Sequence, residues 1–164
     1  MPEIYSFLAQ HGIAYDKFEH PAVFTCEEAE RLCPPMPGMH TKNLFLRDRK
    51  GERHFLVVTG YDKRVDLKGL TKVLSADKLS FGSPERLMKY LGVEPGAASI
   101  LGLLADEQVA VEVYFDEEIW KAESLHCHPL VNTATLVISH DGIVRFMETT
   151  HHPVQVVKVS GRGD

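Results

Sequence analysis

With 164 residues, 44% of them hydrophobic and 25% charged, and a net charge of −5, the chain is predicted to form one globular domain, residues 1–164, with a buried core. No apolar run approaches the roughly 20 residues of a membrane span, so no membrane partner is expected, and the N-terminus lacks the basic start of a signal peptide. Three widely spaced cysteines argue against a disulfide framework and favour a reducing, cytoplasmic setting.

The N-terminal part is predicted to contain a helix, a strand and a second helix. Pro2 suits a first helical turn, and Gly12 ends the apolar stripe of that helix. A strand is expected at residues 15–19. Thr25 and Glu28 have the spacing of a capping box, so a helix is expected to begin there and to end before the prolines that follow.

The middle of the chain is predicted to contain a β-hairpin and two helices. Two apolar stretches flank a Lys50-Gly51 turn in TKNLFLRDRKGERHFLVVT, which indicates the hairpin. The segment VDLKGLTKVL has apolar residues at helical spacing. Ser83 is expected to begin the next helix and Gly92 to end it.

The C-terminal part is predicted to alternate strands with one helix. In VAVEVYFD, an alternating apolar face runs from Val109 to Phe115. TATLVI is a second strand, Asp141 is expected to cap a helix through Phe146, and VQVVKV is the last strand. Six or more strands mixed with short helices, without a regular β-α-β alternation, predict an α+β fold around a mixed, curved sheet.

Charge is distributed unevenly along the chain. Residues 42–89 contain twelve Lys and Arg against six Asp and Glu, so this segment is +6 and the remainder is −11. A basic segment on an acidic protein is typical of a polyanion-binding face, and we expect Arg47, Lys63 and Arg64 to help hold such a partner. The alternative is a solvated surface on which opposite charges mix in three dimensions.

The chain lacks the GxSxG, P-loop and GxGxxG signatures of three common enzyme classes. Nine histidines invite a metal hypothesis, because His126 and His128 would share one face of a strand and His151-His152 form a pair. No acidic or Cys partner stands at an obvious helical spacing, so no metal and no cofactor are expected, and a metal-dependent hydrolase is the less favoured alternative. His128 is expected to fill a half-buried pocket with local hydrogen bonds, and Cys127 to be an inert thiol.

Two polar segments are poorly explained by packing. Lys42 and Asn43 stand at the mouth of an apolar strand, where an ammonium group is costly to remove from water unless it holds a partner. The loop GVEPGAAS, residues 92–99, combines turn residues with small side chains and would offer backbone N–H groups to an oxyanion or a carbonyl. The alternative for this loop is a plain turn.

Three segments in order, PGMHTKNLFLRD, LSFGSPERLMKYLGVEPGAASILGL and HPLVNTAT, resemble the YbaK-type, prolyl-tRNA synthetase-associated editing-domain family. Within it, the resemblance is closest to the free-standing ProX-type deacylases, which hydrolyse alanyl-tRNA(Pro). It runs from Ile4 to about Val159. The resemblance implies a mixed, barrel-like β-sheet flanked by short helices.

The resemblance also implies residue roles. Lys42 would carry activity by gripping the phosphate-sugar end of a tRNA, Asn43 would orient the substrate, and His128 would line the aminoacyl pocket. The glycine-rich loop would form a wall against the scissile ester, with the members Gly92, Pro95, Gly96, Ala97, Ala98 and Ser99.

The function that the resemblance implies is hydrolysis of the aminoacyl ester of mischarged tRNA(Pro), with alanyl-tRNA(Pro) as the expected substrate. The acceptor end of the tRNA would be the partner, and prolyl-tRNA synthetase is a second candidate partner. Two alternatives stay open. One is a deacylase for Cys, Ser or Thr on tRNA, and the other is a non-catalytic aminoacyl-tRNA-binding module of the same fold.

Overall fold

The computed structural model describes residues 3–22 and 26–161. Within these ranges the strands are β1 (Asp16–Glu19), β2 (Thr41–Arg47), β3 (His54–Gly60), β4 (Ser80–Phe81), β5 (Val111–Asp116), β6 (Ser124–Cys127), β7 (Ala134–Ser139) and β8 (Val154–Val157). The helices are α1 (Ile4–Gln10), α2 (Cys26–Leu32), α3 (Leu67–Val73), α4 (Pro84–Leu91), α5 (Glu117–Trp120) and α6 (His140–Thr149), and a 3₁₀ helix spans Ile100–Ala105. Pro2 and Thr25, which were predicted to begin the first two helices, lie outside the described residues.

The described strands form two sheets. The smaller sheet is antiparallel with the order β1-β7-β6, and the larger has the order β4-β2-β3-β5-β8. The larger sheet is mixed, because β5 runs parallel to β3 and β8 whereas β2 is antiparallel to β3 and β4. The predicted α+β class with a mixed sheet is confirmed, and its barrel-like curvature stays a prediction.

A short bridge joins the two sheets beside the start of β2. Met39 pairs with Leu125 of β6; its N–H donates to the carbonyl of Ser124 at 2.9 Å, and its own carbonyl accepts from the N–H of His126 at 3.0 Å. The hydroxyl of Thr41 donates to the carbonyl of His126 at 2.9 Å. These contacts place the beginning of β2 against a strand that is remote in sequence.

The predicted hairpin is confirmed as β2 and β3, in an antiparallel register that sets Lys42 opposite Thr59. Gly51 at its turn has a φ of +71°, a conformation that glycine adopts without the steric cost of a side chain. The carboxylate of Asp48 accepts hydrogen bonds from two backbone N–H groups of the turn, at 2.9 and 3.2 Å. The turn chemistry therefore fixes the register of both strands.

β3 is buried along its whole length and separates two apolar clusters. Leu56 and Val58 pack into the larger cluster, and Phe55 and Val57 pack into the smaller one, as the alternation of side chains along a strand requires. Burying each side chain of this kind stabilises the fold by roughly 1.5–3 kcal/mol. A one-residue slip of β3 would exchange both buried sets, so the neighbouring β2 is held in a fixed position.

Two predictions in the C-terminal part are wrong in detail. Helix α6 is capped by Ser139, whose hydroxyl accepts from the N–H of Gly142 at 3.1 Å, and Asp141 lies inside the first turn. Val109 does not join β5, because its φ is +52° and it is 38% exposed. The carboxylate of Asp106 instead accepts from the two backbone N–H groups that follow Val109, and this local cap overrides the apolar alternation.

Candidate functional site

Lys42 and Asn43 are consecutive residues of β2, so their side chains leave opposite faces of the strand. The Nζ of Lys42 donates a hydrogen bond to the carbonyl oxygen of Lys63. Lys42 lines a cleft of about 500 Å³, whereas Asn43 lines a small recess of about 10 Å³. The structure therefore places the predicted catalytic lysine and the predicted orienting asparagine in two separate depressions.

The cleft around Lys42, which we call the basic cleft, combines charged and apolar side chains. Its lining residues are Lys42, Leu44, Arg64, Val65, Asp66, Leu67, Lys68 and Phe81. Three of these eight residues are cationic and one is acidic. This balance favours an anionic ligand.

Lys63 belongs to a partly buried ion-pair network and does not line the basic cleft. Its Nζ lies 2.6 Å from Oδ2 of Asp116, 3.2 Å from the carboxylate of Glu118 and 2.9 Å from the carbonyl oxygen of Val159. The ammonium group of Lys63 is used inside the fold, and its contact with an anionic partner stays a prediction. The residue instead anchors the loop whose carbonyl accepts from Lys42.

The recess around Asn43, which we call the histidine recess, brings together side chains from both sheets. It is lined by His40, Thr41, Asn43, His126, Cys127, His128 and Thr135. The rings of His40 and His126 have centroids 5.2 Å apart. His126 and His128 line the same recess, as their spacing predicted, and Asn43 is brought beside the predicted pocket residue His128.

Two acceptor atoms of the histidine recess have no hydrogen-bond partner in the part of the chain that the structure describes. They are Oδ1 of Asn43 and Nδ1 of His126, and both atoms are buried. The Nε2 of His126 lies 2.7 Å from the carbonyl oxygen of Pro37. Since a carbonyl only accepts, Nε2 carries the proton, and Nδ1 of the neutral ring is an acceptor. A buried acceptor without a partner costs about 1–3 kcal/mol, so this recess favours a ligand that donates hydrogen bonds.

The histidines of this recess are held in their neutral form. Burial lowers the pKa of His40 to about 4, and the neighbouring His126 and His128 shift it in the same direction. Burial also lowers the pKa of His126 and of His128, although hydrogen bonds to backbone carbonyls oppose the shift. His128 makes that bond locally, as predicted, from Nδ1 to the carbonyl of Ala134 at 3.2 Å. A neutral cluster presents lone pairs and does not repel a cationic ligand.

Cys127 lines the same recess, and its buried side chain belongs to the larger apolar cluster. It is buried, and burial raises its pKa to about 12. The thiolate, which is the nucleophilic form, is therefore scarce at neutral pH. This environment agrees with the predicted inert thiol, whose lack of reactivity stays a prediction.

The described residues offer no group of three or more His, Cys, Asp or Glu side chains arranged to hold a metal ion. His152, which was part of the metal hypothesis, bonds through Nε2 to Asp106 at 2.9 Å and through Nδ1 to the hydroxyl of Thr150 at 3.0 Å. No helix in the described ranges is long and apolar enough to cross a membrane.

The glycine-rich loop and the loop after His128 face each other across a third cleft of about 300 Å³. Its lining residues are Met88, Gly92, Val93, Glu94, Pro95, Ala97, Leu130, Val131 and Asn132. The two segments that the sequence singled out are therefore neighbours in space. Because His128 lines the histidine recess and Leu130 lines this cleft, the segment HPLVNTAT borders both.

The first half of the glycine-rich loop is a turn that begins at the end of α4. Gly92 caps the helix in the left-handed conformation, with a φ of +67°, as predicted. Pro95 and Gly96 are exposed, whereas Ala97 is buried. The N–H of Ala97 donates to the carbonyl of Glu94 at 3.1 Å. This N–H closes the turn, so it is not open to an oxyanion.

The second half of the loop is committed to the fold. Ser99 is fully buried, and its hydroxyl accepts from the N–H of Leu101 at 3.1 Å, at the start of the 3₁₀ helix. Ala98 packs against the larger apolar cluster. The expectation that the Ser99 side chain contacts a substrate is corrected accordingly, because the side chain serves as a helix cap.

Sequence reasoning missed two residues that line the histidine recess. His40 stacks on Tyr61 with ring centroids 4.0 Å apart, and the hydroxyl of Thr135 is 2.8 Å from Nε2 of His20. The alternation of Thr41 and Asn43 along β2 was the available signal for this face of the strand. Nothing local in the sequence indicated that β6 and β7 would complete it.

The mixed-sheet α+β fold is that of an aminoacyl-tRNA editing domain. The model of that family matches residues 20–146, so the chain belongs to the aminoacyl-tRNA editing domain family. The resemblance found in the sequence is confirmed.

Individual relatives agree with this assignment. The chain is 38% identical over 147 residues to the prolyl-tRNA editing protein ProX of Acetoanaerobium sticklandii, over 90% of each chain. It is 36% identical over 152 residues to the prolyl-tRNA synthetase associated domain-containing protein 1 of Danio rerio, over 92% of this chain and 82% of the relative. A crystal structure described as a proposed trans-editing enzyme for prolyl tRNA synthetase has a TM-score of 0.71 at 17% identity over 99% of both chains, which supports the fold.

Proposed function

We propose that the protein is a trans-editing hydrolase that deacylates mischarged tRNA(Pro), with alanyl-tRNA(Pro) as its preferred substrate. Water adds to the ester carbonyl carbon, the bond from that carbon to the ribose oxygen breaks, and free alanine and tRNA leave. The names of the relatives, a prolyl-tRNA editing protein and a prolyl-tRNA synthetase associated protein, support this assignment. We place the activity in the cytoplasm, with prolyl-tRNA synthetase as a docking partner, because the mischarged product leaves that enzyme.

The observation that carries this proposal is the histidine recess. Its volume of about 10 Å³ is close to the minimum that holds one water molecule, so it admits a group the size of methyl or ammonium. The α-ammonium group of an aminoacyl ester supplies N–H donors, and Oδ1 of Asn43 and Nδ1 of His126 are acceptors without partners in the described chain. Small size and acceptor character together favour the end of an alanyl ester.

The same recess disfavours the correct product, prolyl-tRNA(Pro). The proline ring is larger than a methyl group, and overpacking a rigid pocket costs about 1–3 kcal/mol or more. A synthetase pocket built for proline gains only about 1–3 kcal/mol over alanine, so it cannot exclude alanine strongly. A second site that is too small for proline removes the error.

The proposed chemistry relies on positioning and charge. Cys127 is protonated and the neighbouring histidines are neutral, so none of these side chains is an activated nucleophile. An aminoacyl ester is already reactive, and holding it beside water and the vicinal ribose hydroxyl can supply much of the acceleration. We assign Lys42 to the phosphodiester of the acceptor end, where its ammonium group complements the anion. Asn43 and His128 orient the aminoacyl group, and the exposed Pro95–Gly96 turn borders the path by which the ester enters.

A panel of misacylated tRNAs tests the proposal. Purified protein is incubated with alanyl-, seryl-, cysteinyl-, threonyl- and prolyl-tRNA(Pro), and release of the amino acid is followed. We expect rapid release of alanine, slower release of serine, and sparing of proline. Equal cleavage of prolyl and alanyl esters would overturn the proposal, because such an enzyme would destroy the correct product. Tight binding without release of any amino acid would favour the binding module, and inhibition by a chelator would favour the metal-dependent hydrolase.

A further inference from the structure

An exposed aromatic ring stands beside Lys42 in the basic cleft. Phe81 is 61% exposed, lies on the edge strand β4, and lines that cleft. Its backbone is fixed, because Phe81 pairs with Leu46 of β2 and the N–H of the next residue, Gly82, donates to the carbonyl of Phe45 at 2.9 Å. The ring is therefore presented to solvent by a rigid frame.

Two cations accompany this ring. Arg64 and Lys68 are exposed and line the same cleft. Neither takes part in any of the ion pairs found among residues 3–22 and 26–161, whereas Arg53, for example, is paired with Glu112 at 2.9 Å. Asp66 also lines the cleft and is the one acidic residue among its described lining residues. With Lys42, the cleft carries a local excess of positive charge.

An exposed aromatic ring among exposed cations is typical of sites for single-stranded nucleic acid. Unpaired bases stack on aromatic rings irrespective of sequence, and Lys and Arg follow the phosphates. An edge strand is also a place where a protein strand can pair. However, β4 has only two residues and offers few backbone groups for hydrogen bonds. The combination therefore favours RNA over a polypeptide.

We propose that the basic cleft binds the unpaired 3′ end of the tRNA, with Phe81 stacking on a base and with Arg64 and Lys68 contacting phosphodiesters next to the one held by Lys42. This inference rests on the proposed function and deepens it. It assigns recognition of the single-stranded nucleotides to the face of β2 opposite to the aminoacyl recess. Because the assigned groups are exposed, replacing them leaves the apolar clusters intact.

Binding of uncharged tRNA tests the stacking contact without relying on hydrolysis. Fluorescence anisotropy compares full-length tRNA(Pro) with the same tRNA lacking its unpaired 3′ nucleotides. Phe81→Ala should weaken binding of the full-length tRNA by about 5- to 150-fold, the range expected for loss of one stacked base, and should not change binding of the truncated tRNA. Phe81→Trp should restore binding.

A matched control comes from the opposite edge of the same sheet. Val156 on β8 is also an exposed apolar residue, 43% exposed, and Val156→Ala should bind both tRNAs as the unaltered protein does. The proposal is overturned if Phe81→Ala binds full-length tRNA as well as Val156→Ala does. It is also overturned if Phe81→Ala weakens binding of the truncated tRNA by the same factor. A third contrary result would be that Phe81→Ala abolishes binding of a protein segment and leaves binding of RNA unchanged.

The cations have their own control on helix α3. Arg64→Gln and Lys68→Gln should each reduce the slope of log affinity against log salt by about 0.7, the value for one phosphate contact with a single strand. Lys72→Gln removes an exposed lysine of the same helix that does not line the cleft, and it should leave the slope unchanged. Equal slopes for all three variants would refute the phosphate contacts.

Failure of this inference and failure of the proposed function give different results. If alanyl-tRNA is deacylated but Phe81→Ala and Arg64→Gln leave both KM and tRNA affinity unchanged, the inference fails and the function stands. If no ester is cleaved but Phe81→Ala still weakens binding of full-length tRNA selectively, the function fails and the RNA site stands.

Discussion

Replacing Lys63 by methionine tests the buried network that holds the loop beside Lys42. The substitution keeps an unbranched stem and removes the ammonium group that lies 2.6 Å from Oδ2 of Asp116. The carboxylate of Asp116, which is 2% exposed, would still accept hydrogen bonds from the hydroxyl of Thr59 at 2.8 Å and from the N–H of Val159 at 3.3 Å. A buried carboxylate would then lack the cation that now compensates its charge.

The expected loss follows from the burial of the pair. Removing one partner of a buried ion pair costs about 3–5 kcal/mol. The side chain of Lys63 is 22% exposed, so water partly solvates the pair and a free energy of unfolding lower by about 3 kcal/mol is expected. With a urea m-value of about 2 kcal/mol/M, the unfolding midpoint should fall by about 1.5 M. The double variant Lys63→Met/Asp116→Asn should recover part of the loss, because no charge stays buried.

Urea unfolding of the single and double variants provides the assay, with Lys72→Met as the control at an exposed position of α3. A Lys63→Met protein within about 0.5 kcal/mol of the unaltered one, the range of ordinary surface substitutions, would refute the reasoning. So would a double variant that simply adds two losses. In deacylation, Lys63→Met should lower kcat/KM in the unaltered background and have no further effect when Lys42 is already alanine, because Lys63 acts by positioning Lys42.

Three further predictions concern Lys42, Asp106 and His128. Lys42→Ala should change the free energy of unfolding by no more than about 1 kcal/mol and remove most of the release of alanine; a folded Lys42→Ala protein with near-normal turnover would contradict the assigned role. Burial raises the pKa of Asp106, but hydrogen bonds from His152 and from two backbone N–H groups outweigh it and hold the pKa below its ordinary value of 3.8. This contribution to stability is present above that value and lost as pH falls through the folded-state pKa, so Asp106→Asn should have a lower urea midpoint at pH 7 and a flatter pH dependence below pH 4. An equally steep acid loss in Asp106→Asn would exclude Asp106 as its source. His128→Ala should slow release of alanine and admit larger amino acids, as the panel of esters would show, whereas complete loss without a broader range would mean that His128 acts on the ester itself.

Local patterns were sufficient to predict the hairpin that carries Lys42 and the helix that precedes the glycine-rich loop. The turn at Lys50-Gly51 could be predicted because Gly51, which adopts the positive φ, is itself the residue that signals the turn in the sequence. Ser83 and Gly92 bound helix α4 as predicted, since a cap acts on backbone groups three or four residues away. The hairpin pattern therefore places Lys42 at the start of a strand without information on contacts between remote segments.

The histidine recess could not be predicted in the same way, because contacts between remote segments create it. The bridge between Met39 and Leu125 joins the two sheets, and no local pattern specifies that pairing. The ion pair of Lys63 with Asp116, 53 residues away, could likewise not be predicted. The sequence therefore counted Lys63 among the cations available to an anionic partner. At α6, Ser139 and Asp141 are both residues that commonly cap helices. Ser139 is the cap because its hydroxyl accepts from the N–H of Gly142.

Under the proposed function, the alternation of β2 divides recognition into two parts. Lys42 and Arg64 face the nucleotides, whereas Asn43 and His128 face the amino acid, and Lys42 and Asn43 are consecutive residues of β2, which lies between β3 and β4. A substitution in the histidine recess should therefore change which amino acid is released with little effect on tRNA affinity. Arg64→Gln should instead raise KM for alanyl and seryl esters by the same factor, because a remote contact binds both equally. A change in the alanine-to-serine preference of Arg64→Gln would show that the two faces are coupled through the strand.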